Sequence, residues 1–132
     1  CRLSSIVRGS ADDFDILFGT RDPEEIYRKH ISPFCPIFIC TAGAGHIFIC
    51  TPKGTFDFIV PQIPADEIVS TVGAGDSFNA GFLCAMHRQA ICKADLADMS
   101  HNQWKLLVEH GIKYSSQVCR SQDNYIKPLS DK

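Results

Sequence analysis

The sequence is short of several things, and each shortage removes a class of function. Neither sign of charge dominates: 13 Lys and Arg face 15 Asp and Glu, a formal net charge of -2. No field therefore selects a nucleic acid or an anionic membrane surface. No apolar run approaches the ~20 residues that span a bilayer. A signal-peptide pattern and a lipidation motif are both lacking. The Walker phosphate loop, Gly-x-x-x-x-Gly-Lys-Ser/Thr, does not occur, nor does a Gly-x-Ser-x-Gly nucleophile elbow. A dinucleotide fingerprint fails at Phe78, where a small residue would be needed three places after Gly75. The seven cysteines include no Cys-x-x-Cys pair and the five histidines are scattered, which argues against a zinc site. An odd cysteine count, with Cys40 and Cys50 in apolar runs, reads as free buried thiols in a reducing compartment, so a cytoplasmic location is the expectation. Repeats, low-complexity segments and clear linkers are lacking too. The chain opens Cys1-Arg2-Leu3 rather than with Met, and the expectation is that residues upstream are missing.

What is present is enough for one domain with a real core: 132 residues, 45% of them hydrophobic. Ile6-Val7-Arg8 reads as a short strand. Ser10 is placed to cap a helix that Gly19 stops, with Phe14, Leu17 and Phe18 as its apolar face. A second helix is expected over 23–30, led by Pro23. Pro36 to Thr41 is apolar without alternation, like a strand buried on both faces. His46 to Thr51 and Thr55 to Val60 follow as strands across short turns, so they are expected to be antiparallel neighbours. The loop 61–68 leads to a helix over about 75–88, apolar nearly all round and so expected to be buried. A short helix or loop over 95–99 follows. The last helix is expected over 102–117, with Trp104, Leu107, Val108 and Ile112 inward. The polar tail from Arg120 reads as an edge strand or a frayed end.

The chemistry is concentrated in Ser70-Thr71-Val72-Gly73-Ala74-Gly75-Asp76-Ser77-Phe78-Asn79-Ala80-Gly81-Phe82. Gly73 to Asp76 reads as a turn that opens a helix. The first N–H groups of a helix lack internal partners, and their partial charge attracts anions. Glycines at 73 and 75 let the backbone bend and approach a ligand. Asp76 beside a bound phosphate would repel it. A carboxylate there makes sense as a base that takes a proton from an attacking hydroxyl. An ordinary first-turn acid favoured by the helix dipole is the plainer reading of the same residue.

This stretch resembles the second signature of the PfkB (ribokinase-like) family of carbohydrate and nucleoside kinases, Asp-Thr-x-Gly-Ala-Gly-Asp followed by an aromatic and small residues. The resemblance implies that the N–H groups of Gly73, Ala74 and Gly75 form an anion hole for the transferred phosphate and that Asp76 is the catalytic base. Ser70 stands where the family usually has Asp, a residue that in many members helps to hold a monovalent cation. A single neutral oxygen there predicts weak cation activation. Thr41-Ala42-Gly43-Ala44-Gly45 is similar to the family's Thr-x-Gly-x-x-Gly loop, one residue shorter before Gly45. Its place, some thirty residues before Asp76, implies ATP contact for Thr41 and Gly43; a plain hairpin turn is the alternative. Ser10 and Asp13 occupy the places of the family's Asn-x-x-Glu, which acts near magnesium and phosphate. A capping pair alone would explain them, and a water-mediated metal contact at Asp13 is the other reading.

The fold the resemblance implies is α/β: the C-terminal half of a ribokinase-like three-layer sandwich, mainly parallel, with helices on both faces and a small antiparallel edge. Residues 1–132 would form a single partial domain without the N-terminal substrate and lid half. The implied reaction transfers the ATP γ-phosphoryl group to a hydroxyl of a sugar or nucleoside, with Mg2+ held through water and few protein ligands. Self-association through an open sheet edge is expected, as is little turnover by this stretch alone. Two other classes remain: a catalytically silent binding or regulatory protein, favoured by the substituted Ser70, Ser10 and Asp13, and a merely structural truncated product.

Overall fold

Ser10 ends strand β1 (Ile6–Ser10) and opens helix α1 (Ala11–Phe18). Its hydroxyl accepts from the Asp13 N–H at 3.1 Å while the Asp13 carboxylate accepts from the Ser10 N–H at 3.2 Å, a reciprocal cap. Gly19 terminates the helix at φ 68° and donates its N–H to the Asp15 carbonyl. The computed structural model describes residues 3–42, 45–123 and 125.

Asp22 caps the next helix, α2 (Pro23–Ile26), accepting from the Glu24 and Glu25 N–H groups. The expected helix over 23–30 is present but not uniform, since from Tyr27 to Ile31 it widens into a π-type turn closed by the Ser32 N–H on the Tyr27 carbonyl. Strands β2 (Ile37–Ala42), β3 (His46–Thr51) and β4 (Gly54–Ile59) follow.

The four strands form one mixed sheet in the order β1-β2-β3-β4. β1 runs parallel to β2, with Ser10 opposite Thr41, whereas β2–β3 and β3–β4 are antiparallel. Connection length decides this pattern. Residues 43–45 and 52–53 can only reverse the chain, while the segment between β1 and β2 carries helices and can cross over. The antiparallel part is therefore larger than the small edge expected from sequence, and the parallel part is the β1–β2 pair.

Two compact units make up the chain. One runs to Gln62 and takes in Cys92–His101; the other holds Ile63–Ile91 and continues from Asn102. No linker marks that division in the sequence. In the first unit, Ala11, Phe14, Ile26, Ile31 and Cys35 cover one face of the sheet, against Phe38, Cys40 and Cys50. Phe14 meets Phe38 edge-on at 5.0 Å between centroids. The other face is buried as well, at Ile37, Ile39, Ile47, Ile49 and Phe58, and His101 lies against Phe56 and Phe58. Burial on both faces accounts for the lack of alternation in β2. Of the expected α1 face only Phe14 is buried. Leu17 is 66% exposed, and Phe18 instead stacks on His30, because a two-turn helix reaches the sheet only through Ala11 and Phe14.

The second unit pairs helix α3 (Ala74–Arg88) with helix α4 (His101–Cys119) from Asn102 onward. Phe78, Phe82 and Ala85 are buried, as expected, and Phe82 stacks on Trp104. The expectation that α3 is buried nearly all round does not hold. Leu83 is 58% exposed, and Asp76, Asn79 and Ala80 share the open side. On α4, Trp104, Leu107, Val108 and Gly111 point inward, and Ile112 is half-buried. The short helix or loop expected before α4 is a single 3-10 turn, Leu96–Asp98. The tail bends at 121–123, and most of it lies outside the described residues. No helix among the described residues is long and apolar enough to cross a membrane.

Candidate active site

Two places carry the residues singled out in the sequence, one in each unit. The first is the start of α3. Gly73 is its N-cap at φ 78°, a conformation that a side chain disfavours. Being a glycine, it supplies no capping side chain. The Ala74 N–H donates to the Thr71 carbonyl at 3.2 Å and the Ser77 N–H to the Gly73 carbonyl at 2.9 Å. Between them, the Gly75 and Asp76 N–H groups have no hydrogen-bond partner among the described residues. Unpartnered N–H groups at the positive end of a helix dipole form an anion site. The Asp76 side chain is exposed on the same turn, with no hydrogen bond or ion pair found for it among the described residues.

Packing fixes the direction in which that turn faces. A Cβ on Gly81 would lie 2.6 Å from the His110 carbonyl oxygen, and one on Gly111 would lie 2.5 Å from the Phe78 ring. Only glycines allow so close a crossing of α3 and α4. With Ser77, Phe78, Gly81 and Phe82 turned inward, Asp76 is left outward. The loop before the helix is tied to the far end of α4: the Val69 and Ser70 N–H groups donate to the Cys119 carbonyl at 2.8 and 3.3 Å. That carbonyl is one of those a helix end leaves open. The Ser70 hydroxyl accepts from the Val72 N–H at 3.2 Å, so its oxygen holds the turn.

The second place is the carboxyl end of the parallel pair β1–β2, the end at which open α/β sheets bind ligands. Thr41 stands there opposite Ser10. Its hydroxyl accepts from Arg8 Nη2 at 3.1 Å and donates to the Gly9 carbonyl at 3.4 Å. Gly43 lies outside the described residues. Ser10 and Asp13 are engaged with each other, since the Ser10 hydroxyl also donates to the Asp13 carboxylate at 2.7 Å. These bonds, first the side-chain and then the backbone one, hold the Asp13 carboxyl below its ordinary range, with a smaller contribution from the Arg8 charge. Among the described residues no three His, Cys, Asp or Glu side chains converge as a metal cage would require.

Sequence reasoning passed over Arg8, Gly81 and Gly111. The last two carried a signal, since glycine inside a helix costs about 1 kcal/mol relative to alanine and points to a close approach. Arg8 carried one as well, as the single charge in its strand.

The family profile described as pfkB family carbohydrate kinase matches residues 1–123. The chain is 31% identical over 91 residues to an ATP-dependent 6-phosphofructokinase of Thermoanaerobacterium thermosaccharolyticum, an alignment that covers 69% of this chain and 27% of that protein. It is 32% identical over 88 residues to an aminoimidazole riboside kinase of Salmonella typhimurium, covering 65% of this chain and 26% of that one. Its fold resembles the crystal structure of aminoimidazole riboside kinase from Salmonella enterica complexed with aminoimidazole riboside and an ATP analog. There the TM-score is 0.74 at 25% identity, over 92% of this chain and 38% of that one. The chain thus spans about a quarter of the length of the two relatives it matches in sequence.

Proposed function

The chain belongs to the pfkB family of carbohydrate kinases, and from that premise we propose that it carries the phosphoryl-transfer side of an ATP-dependent kinase acting on a hydroxyl of a sugar or nucleoside. The observation that supports this best is the first turn of α3, where two N–H groups and an outward carboxylate, none with a partner among the described residues, share one turn. Anion-binding donors and a base are what in-line phosphoryl transfer to a hydroxyl requires. The backbone from Gly73 to Gly75, with Ala74 between, would stabilise charge on the moving phosphoryl group, and Asp76 would accept the hydroxyl proton.

Thr41, with Gly43 beyond it, would meet the nucleotide at the strand ends. Magnesium supplies charge neutralisation along the phosphates when bound. It commonly keeps most of its waters and takes one or two carboxylates. Asp13 would meet it through water, and its bonds to Ser10 make a cap its first role. Ser70 accepts from the Val72 N–H and, as a single neutral oxygen, would offer a monovalent cation less than a carboxylate would. A cytoplasmic setting and self-association belong to the same proposal. The mutual closure of Ser10 and Asp13 favours a second reading, a silent nucleotide-binding relative, because it engages the carboxylate that a water-mediated magnesium contact would use.

Calorimetric titration with ATP, beside a coupled ATP assay over a panel of sugars and nucleosides, separates the readings in the longest naturally expressed form of the protein. Substrate-dependent turnover is expected. ATP binding without turnover on any acceptor would favour the silent relative, and no ATP binding would sink both.

A further inference from the structure

The partly buried Arg8 guanidinium lies where β1 and β2 end side by side, and its Nη2 donates to Thr41 Oγ1 at 3.1 Å across 33 positions of sequence. A threonine hydroxyl has one proton and two lone pairs. Arg8 takes a lone pair, so the proton must turn elsewhere. It turns toward the Gly9 carbonyl at 3.4 Å, beyond the usual range for an O–H donor. A neutral contact that long is readily exchanged for a charged acceptor, because hydrogen bonds to ions are shorter and stronger. The adjacent cation polarises the O–H bond further and disfavours a bound cation at the same place. The Asp13 carboxylate offsets part of the Arg8 charge, but its own bonds run to Ser10.

The geometry points to Arg8 as a positioning residue that commits the Thr41 hydroxyl to donate to a phosphate oxygen of the nucleotide. This rests on the reading of the strand ends as the nucleotide side of the site. A simple tie between strands would hold β1 to β2 equally well but would not govern ligand affinity.

A double-mutant cycle on affinity tests it, titrating ATP and, separately, inorganic tripolyphosphate into the longest naturally expressed form. Arg8→Met and Thr41→Val should each weaken both ligands on the order of 10-fold, as expected for a hydrogen bond to a charged group. The double variant should be little weaker than either single one, because each change removes the same interaction. Thr41→Ser, which keeps the hydroxyl, should bind as the wild type does. Arg8→Lys should fall between, since an ammonium lacks the planar fork, and it carries the cycle if Arg8→Met does not fold. Denaturant midpoints measured without ligand separate packing losses from this effect. Independent, multiplying losses in the two variants, or wild-type affinity in either, would overturn the inference while leaving the kinase reading at Asp76 intact. If the wild-type protein binds neither ATP nor tripolyphosphate, the nucleotide reading and this inference fall together.

Discussion

Gly81→Ala is expected to loosen the crossing that aims the start of α3. The added Cβ would sit 2.6 Å from the His110 carbonyl oxygen and 2.9 Å from the Tyr114 side chain. An ordinary carbon–oxygen contact is about 3.3 Å or longer, so the helices must separate locally by roughly 0.7 Å. The oxygen is backbone and cannot rotate aside. Overpacking of this kind costs about 1–3 kcal/mol, while alanine's better helix propensity returns about 1 kcal/mol. The net is about 1 kcal/mol of destabilisation, with up to about 2 if α4 cannot yield. Gly111→Ala meets the Phe78 ring rather than backbone, and a ring can swing, so its loss should be smaller. Urea unfolding of both variants with unchanged m-values reads the difference directly. Because Asp76 is five residues before Gly81 on the same helix, Gly81→Ala should also lower turnover more than Gly111→Ala does. A Gly81→Ala protein as stable as the wild type, or more so, would refute the close-crossing argument.

The bonds from Ser10 hold the folded Asp13 carboxyl below its unfolded value, so the cap's contribution is complete above about pH 4 and is lost as pH falls through the lower folded value. Ser10→Ala should raise the Asp13 value toward the ordinary one in an NMR titration and flatten the acid dependence of stability; an unchanged Asp13 titration would contradict the cap. Burial pushes the Cys40 and Cys50 thiols up to about 11, so at pH 8 a thiol reagent should label exposed Cys92 and leave both untouched in the folded chain, as mass spectrometry of digested protein would reveal. Turnover should change little between sodium, potassium and choline buffers, since Ser70 offers one neutral oxygen, already accepting from the Val72 N–H, where a carboxylate would carry charge; a large potassium-specific rise would count against that reading.

The parts of this chain legible from sequence are those whose cause is local. Ser10, Asp13 and Gly19 bracket α1 by capping chemistry acting over a few residues. The short turns after β2 and β3 leave no option but reversal. Gly73 to Asp76 announces a tight helix start because glycine tolerates φ 78° there. The rest depends on partners distant in sequence. That Leu17 and Leu83 are exposed cannot be told from their helical spacing, which marks a face without saying how much of it is covered. Arg8 looks like a stray charge until β1 is laid in register against β2 and its reach to Thr41 appears. Gly81 and Gly111 read as weak points in two helices, and only the crossing gives them a reason. The division into two units is likewise invisible because each takes in non-contiguous stretches.

The central claim is that Asp76 is the base and the backbone beside it the phosphate site. Measuring turnover and ATP affinity together for Asp76→Asn, in the longest naturally expressed form, tests it most directly. The substitution keeps the shape and removes proton acceptance, so the rate should fall by ~10²–10⁴-fold while ATP binds as well as before or more tightly, one negative charge having left the anion site. Near-normal turnover in the Asn variant would contradict the account.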